Sequence, residues 1–318
     1  MPNIVILDAY TTTHGTLSWA DLAKLGELSV YDRSTPEQAR ERVREADIVL
    51  TNKVKFNDEL FAAAPRLKFV SVLATGYNDI DLKAAEQHGV TVSNVADYST
   101  EGVAQHVFAA IFALENQLYR HHRSVQEGRW ADNPDFCYTL SPVHELRGRA
   151  LGIYGFGKIG HRVAEIARVF GMDILAYRRH PKGEPPAGVR YATTKELLRQ
   201  SDILTLHAPL NDDSRHFIRE EHLALMKPSA LLINTARGDL VAEPDLRRTL
   251  LKGGLRGAVL DVLSQEPPID GNVLMDAPNL LITPHMAWQS VQSRERLIEL
   301  SVRNVRAFLA GEPVNVVG

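Results

Sequence analysis

Three side chains with complementary chemistry each follow an apolar run in the second half of the 318-residue sequence. Arg237 comes after LLINTA, Glu266 after GAVLDVLSQ, and His285 after NLLITP. A guanidinium binds a carboxylate through a fixed fork of donors, an imidazole transfers protons near neutral pH, and a carboxylate fixes the tautomer of an imidazole. Singly, they could be a surface ion-pair partner, a solvated loop acid and a structural histidine. Together, at the ends of three strands of one sheet, they predict chemistry at a carbonyl group.

A glycine motif, Gly155, Gly157 and Gly160, lies between an apolar run and a helical pattern. Such glycines allow a tight turn, close approach of the backbone to a pyrophosphate, and close packing of the helix on the strand. The free N–H groups and the dipole of the helix also favour phosphate. The motif predicts a dinucleotide site, and a structural turn without a ligand is the alternative. The predicted contacts are Gly155, Phe156, Gly157, Lys158, Ile159 and Gly160.

Two arginines in LAYRRH, Arg178 and Arg179, stand where a dinucleotide-binding fold usually has an acidic residue. An acidic residue accepts hydrogen bonds from both ribose hydroxyls and repels a 2′-phosphate, whereas arginine binds that phosphate. Arg178 and Arg179, with His180 and Lys182 nearby, therefore favour NADP over NAD as the cofactor. The alternative is that they are solvated loop cations compatible with either cofactor.

Short apolar runs alternate with helical patterns, which predicts an α/β fold with two doubly wound parallel-sheet lobes. At about 150 residues per domain, the length also suggests two domains. One long helix from 100 to 121 is expected to connect the lobes, and the helical pattern at 290–311 could return to the first lobe. The predicted domains are therefore 1–99 plus 288–318 and 100–287. The apolar runs are 4–7, 48–50, 69–73, 90–92, 151–154, 174–177, 203–206, 231–233, 258–260 and 280–282.

The composition argues against several classes of protein and site. Hydrophobic residues make up 44% and charged residues 24%, as in a globular protein, and the net charge of -3 gives no general attraction to nucleic acid or anionic membranes. The start, MPNIVILDAY, does not resemble a signal peptide, and no run approaches the roughly 18 apolar residues of a membrane span. Cys137 is the one cysteine, so neither an internal disulfide nor a thiolate metal site is expected. We expect a cytoplasmic protein without a bound metal.

Over essentially its whole length the chain resembles the D-isomer-specific 2-hydroxyacid dehydrogenase family. TNKV at 51 and GRWADNPDFCY at 128 are most similar to its glycerate dehydrogenase, or hydroxypyruvate reductase, branch. The resemblance implies a Rossmann NAD(P)-binding domain at 100–287 and a flavodoxin-like substrate-binding domain over the remaining residues. The motifs that carry it are GFGKIG at 155, SDILTLHAPL at 201, NTARGDLV at 234, LDVLSQEPP at 260, TPHMAW at 283 and VLATGYNDIDL at 72.

The resemblance also implies a reaction, namely hydride transfer between NAD(P)H and a small 2-keto or 2-hydroxy acid. The favoured pairs are hydroxypyruvate with D-glycerate and glyoxylate with glycolate. Arg237 would hold the substrate carboxylate and carbonyl oxygen, His285 would give a proton to the developing alkoxide, and Glu266 would hydrogen-bond the other ring nitrogen of His285. The resemblance also implies that Asp261 binds the nicotinamide carboxamide and that His207 and Pro209 line the cofactor site. Thr235 and Ala236 would form the wall beside the nicotinamide ribose.

The first lobe would supply most of the other substrate contacts. The amides of Thr75 and Gly76 could bind the substrate carboxylate, because Gly76 lets the main chain turn sharply. Asn52 and Lys53 resemble residues at the mouth of the pocket, although Lys53 could equally be a solvated lysine. Trp288, which follows His285 closely at the start of the predicted range 288–318, would shape an apolar wall of the substrate site.

An aromatic cluster in the irregular segment 127–143 suggests a homodimer. Trp130, Phe136 and Tyr138 lie in the segment that packs across a twofold axis in the family, and an aromatic cluster in a loop suits an interface. They could equally be core aromatics within one chain.

Two other functions occur in proteins with similar motifs. A formate dehydrogenase of the same superfamily would carry glutamine at position 266, so Glu266 argues against that reaction. A regulatory protein that binds NAD(P) without turnover, as some corepressors that resemble this family do, could retain all three side chains. The sequence has no acidic, proline-rich or basic extension, which counts against the regulatory alternative.

Overall fold

A computed structural model describes residues 1–181 and 183–318 of the chain. Lys182, predicted to lie near Arg178 and Arg179, is outside the described residues. The chain divides into two compact units, unit 1 of Met1–Ser99 with Gln289–Gly318 and unit 2 of Thr100–Trp288. The predicted ranges assigned Trp288 to the first domain, whereas in the structure it is the last residue of unit 2.

Unit 1 contains a five-stranded sheet of parallel strands in the order β2-β1-β3-β4-β5. This is the order of a flavodoxin-like doubly wound sheet. The strands β1, β3 and β4 are fully or almost fully buried, because they lie in the middle of the sheet with helices on both faces. The elements are β1 Asn3–Ile6, α1 Tyr10–Thr13, α2 Ala20–Ala23, β2 Glu27–Val30, α3 Pro36–Val43, β3 Ile48–Thr51, α4 Asp58–Ala62, β4 Phe69–Val72, α5 Leu82–Gln87 and β5 Thr91–Ser93.

Unit 2 contains a seven-stranded parallel sheet in the order β12-β11-β10-β9-β6-β7-β8. The chain order reverses between β6 and β9, and ligands of such sheets bind outside the carboxyl ends of the strands at this reversal. The elements are α6 Thr100–Glu115, α7 Leu118–Gln126, β6 Ala150–Tyr154, α8 Lys158–Val169, β7 Asp173–Tyr177, β8 Val189–Tyr191, α9 Thr194–Gln200, β9 Ile203–Leu206, α10 Glu220–Leu223, β10 Leu231–Asn234, a 3₁₀ helix at Gly238–Leu240, α11 Glu243–Leu251, β11 Gly257–Leu260 and β12 Leu280–Ile282. The last helix, α12 Val291–Leu309, belongs to unit 1.

Two apolar cores cover the faces of the unit 2 sheet. On one face, Val163 and Ala167 of α8 and Val107 of α6 pack with Ile153 and Ile233 of the central strands. On the other, Leu204 and Leu232 pack with residues of α9 and α11. Because the central strands are buried on both faces, they read in sequence as continuous apolar runs.

The doubly wound α/β fold is confirmed, and each predicted apolar run lies within one residue of a strand at both ends. Two strands escaped prediction. β2 and β8 lie at the edges of their sheets, where exposed and polar residues interrupt the apolar pattern. The single helix predicted from 100 to 121 is wrong, since Gln117 has a φ of 46° and separates α6 from α7. Within the described part of the chain, no helix combines the length and apolarity needed to cross a membrane.

Candidate active site

The glycine turn between β6 and α8 leaves space for a ligand. Gly155 has a φ of 96°, and a Cβ there would lie 2.4 Å from the backbone nitrogen of Ala208. A Cβ on Gly160 would lie 2.7 Å from the carbonyl oxygen of Gly155, so both glycines are required by the fold. A Cβ on Gly157 would meet nothing within 4 Å. The open position is therefore the one at the amino end of α8, where a pyrophosphate would approach the backbone.

Two buried polar atoms at neighbouring strand ends have no hydrogen-bond partner in the structure. They are Nδ1 of His207, after β9, and Oγ1 of Thr235, after β10. Burial lowers the pKa of His207 to about 3, so its ring is neutral at physiological pH, and its Nε2 lies 3.0 Å from Thr205 Oγ1. Since buried polar groups normally have partners, these two atoms suit a polar ligand. Together with the glycine turn, they fit the dinucleotide predicted from the sequence.

The two glycines give a matched pair of tests. Gly155→Ala should lower the free energy of unfolding by about 2 kcal/mol or more, because it combines a positive φ with a backbone clash. Gly157→Ala should leave the thermal unfolding temperature close to that of the wild type while weakening cofactor binding about tenfold or more, since its methyl group enters the space of the pyrophosphate. Thermal unfolding and fluorescence titration with NADPH measure the two effects. Unchanged cofactor affinity in Gly157→Ala would contradict the assignment.

The two arginines after β7 have different surroundings in the structure. Arg178 lines a cavity of about 530 Å³ beside Gly157, Lys158 and the amino end of α8. Arg179 instead forms a surface ion pair with Asp213, with 2.5 Å between Nη1 and Oδ2. Arg178 is therefore the stronger candidate for the adenosine end of the cofactor.

Phe156 is buried and packs on the ring of His161, while Ile159 is half-buried in the first turn of α8.

His285 and Glu266, the predicted proton donor and its partner, are in direct contact. His285 Nδ1 lies 2.6 Å from Glu266 Oε2, with the two side chains 29% and 32% exposed, so the pair is reachable from solvent. The other carboxylate oxygen of Glu266 accepts a hydrogen bond from the amide of Leu263. Glu266 is thus fixed in place and holds the hydrogen on Nδ1 of the neutral ring, which leaves Nε2 of His285 as the atom for chemistry.

Asp261 holds the turn that carries His285. The fully buried carboxylate accepts hydrogen bonds from Thr283 Oγ1 and from the amides of Met286 and Ala287. Its carbonyl oxygen accepts from the amide of His285, whose φ of 51° lies in the left-handed region. The family resemblance implies that Asp261 binds the carboxamide of the cofactor. In the structure its carboxylate fixes the turn from inside, and a direct contact with the cofactor stays a prediction.

Arg237 follows β10 in a turn that packs directly on the Glu266 loop. Gly238 makes this possible, because a Cβ there would lie 1.9 Å from the backbone carbon of Leu263. The half-buried Arg237 uses Nη1 to donate to the carbonyl of Ala236, 2.7 Å away. The close packing at Gly238 brings the turns that carry Arg237 and Glu266 together at one edge of the sheet.

The predicted substrate residues of unit 1 lie after β3 and β4. The amides of Asn52 and Lys53 donate to the carboxylate of Asp8, at 2.8 and 2.6 Å. Lys53 Nζ lies 3.5 Å from Asp79 Oδ2. Thr75 uses its hydroxyl to donate to the carbonyl of Val95, while Gly76 follows in the loop after β4. Their role in substrate binding stays a prediction, as does that of Trp288, which is half-buried at the end of unit 2.

Three residues that support the site were missed. Asn234 shapes the Arg237 turn by donating to the carbonyl of Arg237 and accepting from the amide of Ala236. Glu243, which is buried, accepts from the amide and hydroxyl of Ser264 in the Glu266 loop. His106 lies 3.3 Å from Thr283 Oγ1. Glu243 and His106 contact residues distant in sequence, whereas the contacts of Asn234 are local. Only the polar type of Asn234 inside an apolar strand could therefore have signalled a role.

Comparison with known proteins decides the family. The family model of the D-isomer specific 2-hydroxyacid dehydrogenase NAD binding domain matches residues 108–287. A hydroxypyruvate reductase of Blautia hydrogenotrophica is 41% identical over 319 residues, which is 99% of each chain. The chain belongs to the D-isomer-specific 2-hydroxyacid dehydrogenase family. The predicted family is thereby confirmed, and the protein is an NAD(P)-dependent 2-hydroxyacid dehydrogenase.

Further relatives and solved structures indicate the branch of the family and the type of cofactor. A glycerate dehydrogenase of Methylorubrum extorquens is 41% identical over 285 residues, covering 89% of both chains, and a glyoxylate reductase of Korarchaeum cryptofilum is 37% identical over 302 residues, covering 92% of this chain and 89% of its own. Among solved structures, an acyclic imino acid reductase in complex with NADPH and D-Arg has a TM-score of 0.86 and 31% identity over 99% of this chain and 100% of its own. A D-lactate dehydrogenase from Aquifex aeolicus complexed with NAD and lactic acid has a TM-score of 0.83 and 29% identity over 98% and 96%. These relatives support the glycerate dehydrogenase branch and a nicotinamide cofactor, and none of them favours a regulatory protein without turnover.

Proposed function

We propose that this dehydrogenase reduces hydroxypyruvate to D-glycerate and glyoxylate to glycolate. The observation that carries the proposal is the 2.6 Å contact between His285, in the turn after β12, and Glu266, in the loop after β11. A formate dehydrogenase needs no proton donor, whereas reduction of a 2-keto acid requires one for the developing alkoxide. The names of the hydroxypyruvate reductase, glycerate dehydrogenase and glyoxylate reductase relatives point to the same two substrates.

The side chains of unit 2 would share the work of the reaction. Arg237 would leave the carbonyl of Ala236 and bind the substrate carboxylate with its fork of donors, which orients the keto carbon. When bound, a nicotinamide cofactor would supply the hydride for this reduction. His285 would give its Nε2 proton to the keto oxygen as negative charge develops there, while Glu266 stabilises the positively charged ring that precedes the transfer. In the reverse direction, Nε2 of His285 would accept the hydroxyl proton.

The proposed function is tested by a steady-state panel of hydroxypyruvate, glyoxylate, pyruvate and phenylpyruvate, each with NADPH and with NADH. We expect the highest kcat/KM for hydroxypyruvate or glyoxylate. Tight cofactor binding without oxidation of either cofactor by any acid in the panel would contradict the proposal and would favour the regulatory alternative.

We infer a preference for NADPH from the position of Arg178. Arg178→Asp should move the ratio of kcat/KM for NADPH over NADH towards NADH by about tenfold to a hundredfold, because a hydrogen bond to a charged group contributes about 1.5–3 kcal/mol. Arg179→Asp is the matched control, since Arg179 already pairs with Asp213, and it should shift the ratio much less. An unchanged ratio in Arg178→Asp would show that NADPH is not selected by this side chain.

We also propose that the protein is a homodimer. Phe136 is 89% exposed, and Trp130 is half-exposed with its Nε1 donating to the carbonyl of Phe136. Tyr138 is held by a 2.6 Å contact with Ser124. Exposed aromatic side chains on an irregular segment support an interface with a second copy, and sedimentation velocity of the full chain measures the oligomeric state.

A cytoplasmic location is proposed on the single cysteine alone, because a chain with one cysteine suits a reducing compartment.

A further inference from the structure

A buried hydrogen-bond chain links α6 to the turn that carries His285. Oδ1 of Asp261 lies 2.5 Å from Thr283 Oγ1, and this hydroxyl lies 3.3 Å from Nε2 of His106. Nε2 of His106 is also 3.7 Å from Oδ1 of Asp261. The side chain of His106 is only 16% exposed and that of Asp261 is fully buried, so water competes weakly for these contacts.

The direction of the hydrogen bonds in this chain follows from the number of protons. The hydroxyl of Thr283 has one proton, and the carboxylate of Asp261 can only accept. Thr283 therefore donates to Asp261 and accepts from His106. It follows that Nε2 of His106 carries a hydrogen, either in the Nε2–H tautomer or in the imidazolium.

The hydrogen-bond chain ends on the backbone of the turn that carries His285. Asp261 accepts the amides of Met286 and Ala287, the two residues that follow His285. The ring of His285 therefore depends for its position on an aspartate whose own orientation depends on Thr283 and His106.

We propose that His106 is a positioning residue for His285, acting through Thr283 and Asp261. The inference rests on the proposed role of His285 as proton donor. Loss of the His106 donor would free the Thr283 hydroxyl to rotate, loosen the carboxylate and let the turn shift. A displacement of about 1 Å at a reacting group costs up to about a hundredfold in rate, so an indirect contact can have a large effect.

Two pairs of variants test the proposal. His106→Phe removes the donor and His106→Gln offers an amide nitrogen in place of Nε2, while Thr283→Val removes the hydroxyl and Thr283→Ser keeps it. We expect His106→Phe and Thr283→Val to lower kcat about tenfold to a hundredfold, and the conservative partners to recover most of the loss. Equal losses in both members of each pair, in step with lower thermal stability, would show a packing role and overturn the proposal.

A readout without turnover separates this proposal from the proposed function. In NMR spectra of the full chain with ¹⁵N-labelled histidine, the wild type should show His106 protonated on Nε2. The ring signals of His285 should move in His106→Phe and Thr283→Val and return in His106→Gln and Thr283→Ser. Unmoved His285 signals in His106→Phe and Thr283→Val would overturn the inference, whether or not the protein reduces a 2-keto acid. A wild type that reduces no acid but shows the coupled signals would contradict only the proposed function.

Discussion

Replacing His285 with alanine is expected to lower kcat for hydroxypyruvate by about 10² to 10⁴-fold, which is the usual contribution of a positioned general acid. The methyl group of alanine has no proton to give, and Asp261 still holds position 285 in place through the amides of Met286 and Ala287. Stopped-flow measurement of NADPH oxidation gives the rate of the chemical step directly. Solvent deuterium should slow the wild type more than the variant, since only the wild type transfers a proton from the ring.

Two controls separate this loss from a loss of structure. The ring of His285 is partly exposed, and a partly exposed pair such as His285 and Glu266 contributes little to stability. Removal of the ring should therefore change the thermal unfolding temperature little. NADPH affinity should also stay close to that of the wild type. Wild-type kcat in His285→Ala, or a fall in kcat that follows a fall in stability, would identify His285 as structural.

Replacing Arg237 with glutamine is expected to lower kcat/KM for 2-keto acids by about 10² to 10⁴-fold. The variant loses two hydrogen bonds to a carboxylate, and each bond to a charged group contributes about 1.5–3 kcal/mol. Most of the loss should be in KM if the guanidinium binds the ground state and the transition state equally. Initial rates over a range of hydroxypyruvate concentrations separate the two parameters.

Arg237→Lys and an uncharged substrate sharpen this test. Lysine keeps the positive charge but cannot form the fork, so its loss should lie between those of the wild type and the glutamine variant. With methyl glyoxylate, which has no carboxylate, the wild type and Arg237→Gln should differ much less. An equal loss with the acid and with its methyl ester would show that Arg237 does not recognise the carboxylate.

The central strands and the glycine turn could be predicted because their signals are local. Strands buried on both faces must be apolar along their length, and a turn that admits Gly155 with a φ of 96° excludes other residues. The contact between His285 and Glu266 was also predictable, but only because the family resemblance paired two residues that the sequence separates.

The supporting contacts could not be predicted, because they depend on where distant residues meet. His106 contacts Thr283 across 177 positions, and nothing in the helical pattern of α6 distinguishes His106 from a core histidine. Likewise, the ion pair between Arg179 and Asp213 is set by two exposed loops and has no local signal. The edge strands β2 and β8 were missed for a related reason, since partial exposure removes the apolar pattern on which strand prediction depends.

Transfer of one labelled hydrogen atom tests the proposed reaction. NADPH that carries deuterium at the transferable position of the nicotinamide is incubated with the enzyme and hydroxypyruvate, and the product is analysed by mass spectrometry and chiral chromatography. We predict D-glycerate with one deuterium on C2. Glycerate without deuterium, the L isomer, or no glycerate alongside tightly bound NADPH would contradict the account.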